Sequence, residues 1–512
     1  MNEVKQANVK MCNKKFVASI QQKVSKSIDS STDAKITKML SLKTFPSINN
    51  IEVYNGGLKA VMQVQYEAVI CLENGEILCS EEQVLQSNIA YESSLITQNS
   101  RVKIMPCVMD NQVTISQGEV TINSLISLDI YLTDNECCIS LPMVDENINV
   151  KTVESPVCSI KDYISSSGIV KGEVTVDNKF RKIIFATYVG FVKNYSIKND
   201  YFVINGEMFT NFLCEYEDGQ LRSFTKSFEF SEEIEQKGIV SDDVLQLDFR
   251  TNFKPATNIV VGTNGETIID LEMPYTLTGD VYTCYNQEII TDAYNTEREV
   301  KLTAESFEHC INKSTCFAED KIIAGFNLSE DSPRIERILG VAGENISVVN
   351  TMVKDGEIIL EGIANACVIY YSEDEEGNKV LNSVMVDLPY SLNISNGEVK
   401  EGDNIVVDLK LGEISVKNKK GRELEIVANV YITYCLSRPE ISVFTTNICL
   451  GEQKELSPYA LEIIVAKEGE DIWDVAKRLS IKEEQLLSQN ADISLPLQDG
   501  EKLVVFRGRS DK

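Results

Sequence analysis

The chain has 512 residues, of which 43% are hydrophobic, and its formal net charge is −29. The length predicts three or four domains of roughly 150 residues each. The negative field disfavours nonspecific binding to nucleic acids and to anionic lipids. No apolar run approaches the roughly 18–20 residues that cross a bilayer, and residues 1–8 lack the apolar segment of a signal peptide. We therefore expect a cytosolic protein without a transmembrane segment.

Residues that could carry catalysis are sparse. The 14 cysteines are scattered without a CxxC pair, so the sequence predicts buried structural thiols and no metal site. The single histidine, His309, precedes Cys310. Neighbouring residues on a strand point to opposite faces, so we expect a structural histidine and not a nucleophile–base pair. No phosphate-binding loop, dinucleotide fingerprint or serine-nucleophile motif occurs. The sequence therefore predicts no catalytic residue and no cofactor, and an enzyme is the least favoured class.

From the N-terminus to about residue 455, short runs alternate between apolar and polar residues. Residues 58–64, 119–123 and 429–434 are examples, rich in β-branched and aromatic side chains. Such alternation predicts half-buried strands. Asn74-Gly75 and Asp218-Gly219 each separate two apolar runs, which predicts two-residue hairpins with type I′ turns. This part of the chain is predicted to be mainly β.

The β region repeats internally. Residues 31–40 resemble residues 330–339, at an offset of 299 residues. A strand, a polar turn and a second strand recur at 67–75, 211–219 and 367–377. A glycine precedes the last two copies, as Gly206 and Gly362. The repetition predicts three tandem β-sandwich-like units, each large enough for its own core, at 1–150, 151–300 and 301–455, of which the second is the most diverged.

The last fifty residues change to a strand–helix–helix–strand pattern. Residues 461–465 and 502–506 are predicted strands. Asp471 is a suitable N-terminal cap for a first helix, whose apolar face combines Ile472, Val475, Ala476 and Leu479. A second short helix is predicted over 481–487. The segment is therefore a small α+β (βααβ) domain.

This segment, over 459–508, resembles a LysM domain. The matching positions are Val465, Gly469, Ile472, Trp473, Val475, Ala476, Leu486, Asn490, Leu497, Gly500, Leu503 and Val505. Three places depart from the family pattern, one of which is Lys482, where a Ser or Thr cap is common. The loop Gly-Asp-Thr reads Gly469-Glu470-Asp471, and the closing Ile-Pro reads Val505-Phe506.

The resemblance implies a binding groove between the loops 469–472 and 491–494. LysM domains of this kind bind N-acetylglucosamine polymers. Here Glu470, Asp471 and Asp492 add negative charge to the groove and the loop threonine is lost, so binding of a protein is the alternative. The predicted partner-binding residues are Ile463, Gly469, Glu470, Asp471, Ile472, Trp473, Asn490, Asp492 and Ile493. Trp473 could equally fill the small core of this domain, since tryptophan is common in cores and at interface hot spots alike.

The β units resemble SPOCS domains. The residues that carry this resemblance are 335–339, 356–362, 369–372, 388–390 and 288–294. Tandem SPOCS units followed by LysM is the arrangement of SipL-type spore coat morphogenetic proteins. The resemblance implies a non-enzymatic scaffold in the mother-cell cytosol, at the forespore surface. Its LysM domain would bind the coat basement-layer ATPase, and other spore coat proteins would be further partners.

Two other functions stay open at this point. A cell-wall protein that binds peptidoglycan through LysM would need export, and no export signal is readable. A wall hydrolase would need a catalytic domain, whereas the remaining chain consists of repeats.

Overall fold

The computed structural model describes residues 7–29, 34–142, 147–176, 180–251, 254–261, 266–455, 459–493 and 495–507. Strands account for most of them, and every strand pairing is antiparallel. The predicted mainly-β class is confirmed. No helix among the described residues has the length and apolar character that a membrane crossing requires. Residues 31–33 of the first copy of the 31–40 repeat lie outside the described residues.

The first strand group contains two three-stranded sheets. One sheet has the order β1-β6-β5 and the other β2-β3-β4. The bounds are β1 Ala7–Ile28, β2 Ile36–Tyr54, β3 Gly57–Leu72, β4 Ile77–Glu92, β5 Val102–Ser116 and β6 Glu119–Leu141. Side chains from both sheets form one apolar core, which includes Leu58, Tyr66, Ile122 and Leu128.

The second strand group repeats this plan with a divided fifth strand. The sheet β8-β9-β10 faces a sheet in which β13 pairs with β7 on one side and with β11 and β12 on the other. The bounds are β7 Ile148–Val176, β8 Phe180–Lys198, β9 Tyr201–Tyr216, β10 Leu221–Glu235, β11 Val244–Thr251, β12 Ala256–Val261 and β13 Thr267–Asn295. The core again combines both sheets, for example Phe202 and Phe212 with Leu271 and Leu277.

The third strand group has the plan of the first. Its sheets have the orders β14-β19-β18 and β15-β16-β17. The bounds are β14 Arg298–Asn327, β15 Arg337–Lys354, β16 Glu357–Glu373, β17 Lys379–Ser395, β18 Asn404–Asn418 and β19 Glu423–Gln453. Every second residue at the start of β16 and of β19 is buried, which is the alternation that the sequence shows.

The recurring glycines have a steric cause. A Cβ atom on Gly362 would lie 2.0 Å from the Ser347 carbonyl oxygen and 2.5 Å from the Tyr390 hydroxyl. A Cβ on Gly206 would lie 2.2 Å from the Phe191 carbonyl oxygen, under the ring of Phe230. In both central strands an aromatic ring of the neighbouring strand therefore covers the glycine. Any larger residue would force the ladder apart.

The predicted type I′ turns are wrong. That turn needs positive φ at both central residues, whereas only Gly75 (+82°) and Gly219 (+73°) have it. The amide of Gly75 donates to the Leu72 carbonyl at 3.0 Å, and the Asn74 side chain accepts from the Glu76 amide at 2.9 Å. This is a type I turn followed by a left-handed glycine. The asparagine stabilises the turn through its side chain and does not need positive φ.

The sequence predicts that the cysteines are structural thiols, and this prediction is wrong for one pair. Cys158 of β7 and Cys284 of β13 face each other across the ladder and form a disulfide, with Cα atoms 4.1 Å apart. Their separation of 126 residues hides this pairing from a spacing argument. The other cysteines with described side chains are free, and most are buried or half-buried.

The three strand groups pack against one another through apolar contacts. One shared cluster brings together Leu40 and Val69 of the first group, Phe185 and Leu213 of the second and Leu339 of the third. The three strand groups therefore share apolar contacts and do not fold into separate, unconnected domains.

The C-terminal module consists of β20 Leu461–Val465, α1 Ile472–Leu479, α2 Glu483–Gln489 and β21 Lys502–Phe506. β20 pairs with β21 in a two-stranded sheet. The predicted cap is present: the Asp471 side chain accepts from the Asp474 amide at 2.9 Å, and the Asp474 side chain accepts from the Asp471 amide at 3.1 Å. This reciprocal arrangement stabilises the first turn of α1.

Candidate functional site

Trp473 lies inside a core that extends beyond the C-terminal module. Within the module it packs with Val475, Leu486 and Leu503, and only 6% of its surface is exposed. The same cluster contains Tyr294 of β13. The two rings meet edge to face, with centroids 4.8 Å apart. Trp473 therefore belongs to an interface between the module and the second strand group, and is not a free surface anchor.

Asp292 of β13 accepts the hydrogen bonds that the module donates across this interface. The Trp473 indole donates to Asp292 Oδ2 at 2.8 Å, and Lys477 Nζ donates to both carboxylate oxygens at 2.6 and 2.7 Å. The ladder of β7 and β13 has an irregularity between Ile290 and Asp292. A bulge of this kind re-aims the side chains that follow it. The Asp292 side chain is fixed further by a hydrogen bond from the Ala293 amide at 2.9 Å.

Three further contacts hold the module in place. The Tyr294 hydroxyl donates to the Ile481 carbonyl at 2.8 Å. Lys454 Nζ donates to the Asn295 carbonyl and to the Ser480 hydroxyl, both at 3.0 Å. Lys151, which faces Asp292 across β7 and β13, pairs with Asp471 at 2.6 Å. The last pair is about half exposed and contributes little, whereas Trp473 itself is only 6% exposed.

Electrostatics favours the charged form of Asp292. Burial acts to raise its pKa, but the hydrogen bonds from Lys477 and Trp473 outweigh that effect and hold the pKa of Asp292 below its ordinary value. Asp292 therefore docks the module as a carboxylate, and protonation would weaken the contact.

An exposed apolar surface lies on the two-stranded sheet of the module. We call it the outer apolar face, made of Leu461, Ile463, Val465, Val504 and Phe506. These five side chains are between 39% and 67% exposed, and Ile463 is the most exposed. Leu461 pairs with Phe506 and Ile463 with Val504, so four of them form adjacent cross-strand pairs. Leu503 and Val505 point inward and are fully buried.

The outer apolar face settles the direction of Ile463. The run Ile463-Ile464-Val465 is apolar throughout, so alternation in the sequence does not choose a face. In the structure Ile463 points outward, while Ile464 packs against the module core. A contiguous exposed apolar patch of this kind is typical of an interaction surface.

Two predicted binding residues, Glu470 and Asn490, form hydrogen bonds to other residues of the module. Glu470 accepts from the Lys467 amide and from Arg478, both at 2.8 Å. Asn490 donates to the Leu486 and Val504 carbonyls at 2.8 and 2.7 Å and accepts from the Val504 amide at 2.7 Å. Asn490 thereby ties α2 to β21, which is a structural role.

The other predicted residues lie around the two loops. Gly469 takes a φ of +82°, which its missing side chain permits, and Ile472 is half-buried. Asp492 is exposed, and Ile493 packs against the module core. Asp471 bonds Lys151 as described above. Ser494, at the end of the second loop, lies outside the described residues.

Asp292 and Tyr294 are the interface residues that sequence reasoning missed. Both lie in the segment 288–294, which stands out as the motif that closes a SPOCS-like unit. The motif itself was a signal, but its contact with Trp473 spans 181 residues of sequence. No local pattern indicates such a partner.

His309 has the surroundings of a structural residue. It is 1% exposed, its Nε2 lies 3.0 Å from the Ser442 hydroxyl, and its ring packs edge-on to Phe444. Its Nδ1 has no hydrogen-bond partner among the described residues. Burial lowers the pKa of His309, so the ring is neutral near pH 7. A buried histidine without an orienting acid cannot serve a substrate from solution.

One trio among the described residues has spacing compatible with a metal ion. Ligand atoms of Glu67, Cys79 and Glu81 lie within 4.8 Å of one another. Glu67 and Glu81 oppose each other across β3 and β4. Lys254 Nζ lies 2.5 Å from Glu81, so a protein cation already neutralises one carboxylate. Glu81 of the first strand group therefore forms an ion pair with Lys254 of the second, and this pair explains the position of its carboxylate.

Comparison with known proteins gives one match. No curated protein matches the chain, and no solved structure matches it. Residues 334–419 match the family model described as SipL, SPOCS domain. The matched residues run from just before β15 to just beyond β18, which is most of the third strand group. Over these residues the chain matches a SPOCS domain, which supports a SipL-type, sporulation-related protein.

Proposed function

We propose that this protein is a non-enzymatic scaffold of spore coat assembly. The C-terminal module is its LysM domain, and this module binds the coat basement-layer ATPase in the mother-cell cytosol at the forespore surface. The observation that carries the proposal is the outer apolar face, an exposed patch on a module that is otherwise fixed to the SPOCS-containing body. Three strand groups without a described catalytic constellation support a role in binding.

The outer apolar face has the features of a protein contact. Its five apolar side chains are adjacent, and the sheet beneath them is held by a fully buried core. Burying one such side chain contributes about 1.5–3 kcal/mol, so a few of them are sufficient for the core of a specific interface. Ile463 lies in the middle row of the face, between the Leu461–Phe506 and Val465–Lys502 pairs. Central positions of an interface are where binding energy concentrates.

The contacts of the loop residues favour protein over sugar. Asp471 pairs with Lys151, Glu470 with Arg478, and Trp473 with Asp292. These groups are engaged within the chain and are not free to line a sugar groove.

The test measures binding of the full chain to the purified coat ATPase by calorimetry. Ile463→Glu places a charge in the centre of the face and should cost at least about 2 kcal/mol, a loss of about 30-fold in affinity. Ile323→Glu is the matched control, because Ile323 is 71% exposed and Ile463 is 67% exposed. We expect the control to bind normally.

Two results would overturn the proposal. One is equal binding by Ile463→Glu and the unmodified chain, with both proteins folded by circular dichroism. The other is saturable binding of N-acetylglucosamine oligomers without binding of the ATPase, which would favour the cell-wall alternative.

A further inference from the structure

Four cysteines from four different strands meet in one buried cluster. Cys12 of β1, Cys158 of β7, Cys284 of β13 and Cys310 of β14 pack together with Ile160 and Tyr282. Cys12, Cys158 and Cys310 each lie in the long first strand of one strand group. The cluster is thus placed where the three strand groups meet, and it is independent of the C-terminal module.

The four sulfur atoms are in two different states. Cys158 and Cys284 are joined, whereas Cys12 and Cys310 are free. Cys12 and Cys310 pack in the same cluster, and the Cys310 thiol donates to the Asn312 carbonyl at 3.0 Å. The β1–β6 ladder skips Cys12, and the β14–β19 ladder is irregular directly after Cys310. Both thiols are therefore at or next to bulges, where the strand can adjust locally.

The free pair contains a suitable nucleophile. The interaction of Cys310 with the Cys12 side chain, together with the nearby Lys313, outweighs burial and holds the pKa of Cys310 below its ordinary value. The interaction with Cys310 and burial raise the pKa of Cys12 above its ordinary value. Lys313 is held in place, 4.0 Å from the centre of the Tyr282 ring. Of the two free cysteines, Cys310 is thus the one that loses its proton more readily.

We propose that this cluster carries one disulfide in two exchangeable positions, Cys158–Cys284 within the second strand group and Cys12–Cys310 between β1 and β14. In the first step the Cys310 thiol loses its proton, and the resulting thiolate attacks one sulfur of Cys158–Cys284. A bond forms to Cys310, the old disulfide breaks, and the leaving sulfur departs as a thiolate that takes up a proton.

The second step completes the transfer. Cys12 loses its proton and attacks Cys310, which releases the second cysteine of the original pair as a thiol. One disulfide and two thiols are present before and after, so the exchange needs no external oxidant. The product cross-links the first and third strand groups, whereas the starting disulfide links two strands that are already paired along 29 residues.

Burial restricts the exchange to these four residues. Cys12, Cys158 and Cys310 are at most 6% exposed, so external thiols reach them poorly. Cys214 is the matched control, because it is equally buried but lies in the core of the second strand group, outside the cluster. Burial raises the pKa of Cys214 to about 12, so it is protonated near neutral pH.

The test maps disulfides in the full chain. The chain is reduced and unfolded in urea and then refolded with glutathione disulfide, so that the oxidant reaches the cysteines before they are buried. It is then trapped with N-ethylmaleimide in acid and digested with trypsin without reduction. The four cysteines fall on four separate tryptic peptides, 11–14, 152–161, 251–298 and 302–313, each with a single cysteine. Mass spectrometry therefore identifies every pairing directly.

We expect both the Cys158–Cys284 and the Cys12–Cys310 peptides, in amounts that differ by no more than about tenfold. Cys310→Ser should leave only Cys158–Cys284, and Cys214→Ser should give the unmodified pattern. Cys12→Ser blocks the second step and should trap Cys310 joined to Cys158 or Cys284. Recovery of Cys158–Cys284 alone in the unmodified chain, or of Cys310 joined to a cysteine outside the cluster, would overturn the proposal.

Discussion

Removal of the Asp292 carboxylate should release the C-terminal module from the second strand group. Asp292→Ala deletes the acceptor of three hydrogen bonds, one from the Trp473 indole and two from Lys477. The bond from the indole is shielded and charge-assisted, and we assign it about 1.5–2 kcal/mol. Lys477 is 42% exposed, so its pair with Asp292 is worth about 0.5–1 kcal/mol after solvent screening. The docking equilibrium should weaken by about 2–3 kcal/mol, which is about 30- to 150-fold.

Trp473 reports on this interface without labelling, since it is the single tryptophan of the chain. In Asp292→Ala we expect its emission to shift to longer wavelength and its quenching by acrylamide to increase. The urea midpoint of this signal should fall, while the circular dichroism of the strands stays unchanged. Asp292→Asn keeps an acceptor for the indole and should give an intermediate effect.

Lys151→Ala is the control, because it removes only the half-exposed pair with Asp471. It should leave the fluorescence unchanged. If a folded Asp292→Ala protein showed the emission and quenching of the unmodified chain, the assignment of Asp292 as the docking residue would be refuted.

Three more predictions follow from the geometry. Gly362→Ala forces a Cβ against the Ser347 carbonyl and should lower the free energy of unfolding by about 1–3 kcal/mol in urea titrations; an unchanged midpoint would contradict the close approach. Arg438→Ala removes the two hydrogen bonds, at 2.8 and 2.9 Å, that Arg438 donates to the carboxylate of Asp403, whose side chain is 2% exposed. It should cost about 3 kcal/mol, and a loss below about 1 kcal/mol would argue against the pair. The pKa of Asp292 is depressed by docking, so docking is fully favoured above the unfolded pKa of about 4 and is lost as the pH falls through the lower, docked value. Acrylamide quenching that stays constant on acidification of the folded protein would exclude this linkage.

Much of the β architecture could be predicted from the sequence. Alternating apolar residues give β9 and β16 directly, because one face of each strand is buried and the other is not. The strand–helix–helix–strand order at the C-terminus follows from the helical spacing of Val475, Ala476 and Leu479 and from the cap at Asp471. The turn type at Asn74-Gly75 could not be predicted, because a left-handed glycine fits two kinds of hairpin.

The site was less predictable, because its contacts join residues far apart in the sequence and because an apolar run does not show which face of a strand is exposed. Trp473 was a reasonable anchor by residue type, but its contact with Asp292 lies 181 positions away, and local patterns carry no information over that range. The exposure of Ile463 depended on the pairing of Leu461 with Phe506, which fixes which side of the strand faces water. The joining of Cys158 and Cys284 likewise required the register of β7 and β13.

The length of the β7–β13 ladder has a consequence for spacing. Asp292 is close to one end of β13 and Thr267 is at the other, 25 residues away at about 3.3 Å each. The contour between them is about 80 Å, more than twice the roughly 30 Å diameter of a small domain. The C-terminal module contacts one end of this strand pair, far along the ladder from Thr267. The C-terminal module and the opposite end of the second strand group are thus joined by hydrogen-bonded backbone, which a flexible linker would not provide.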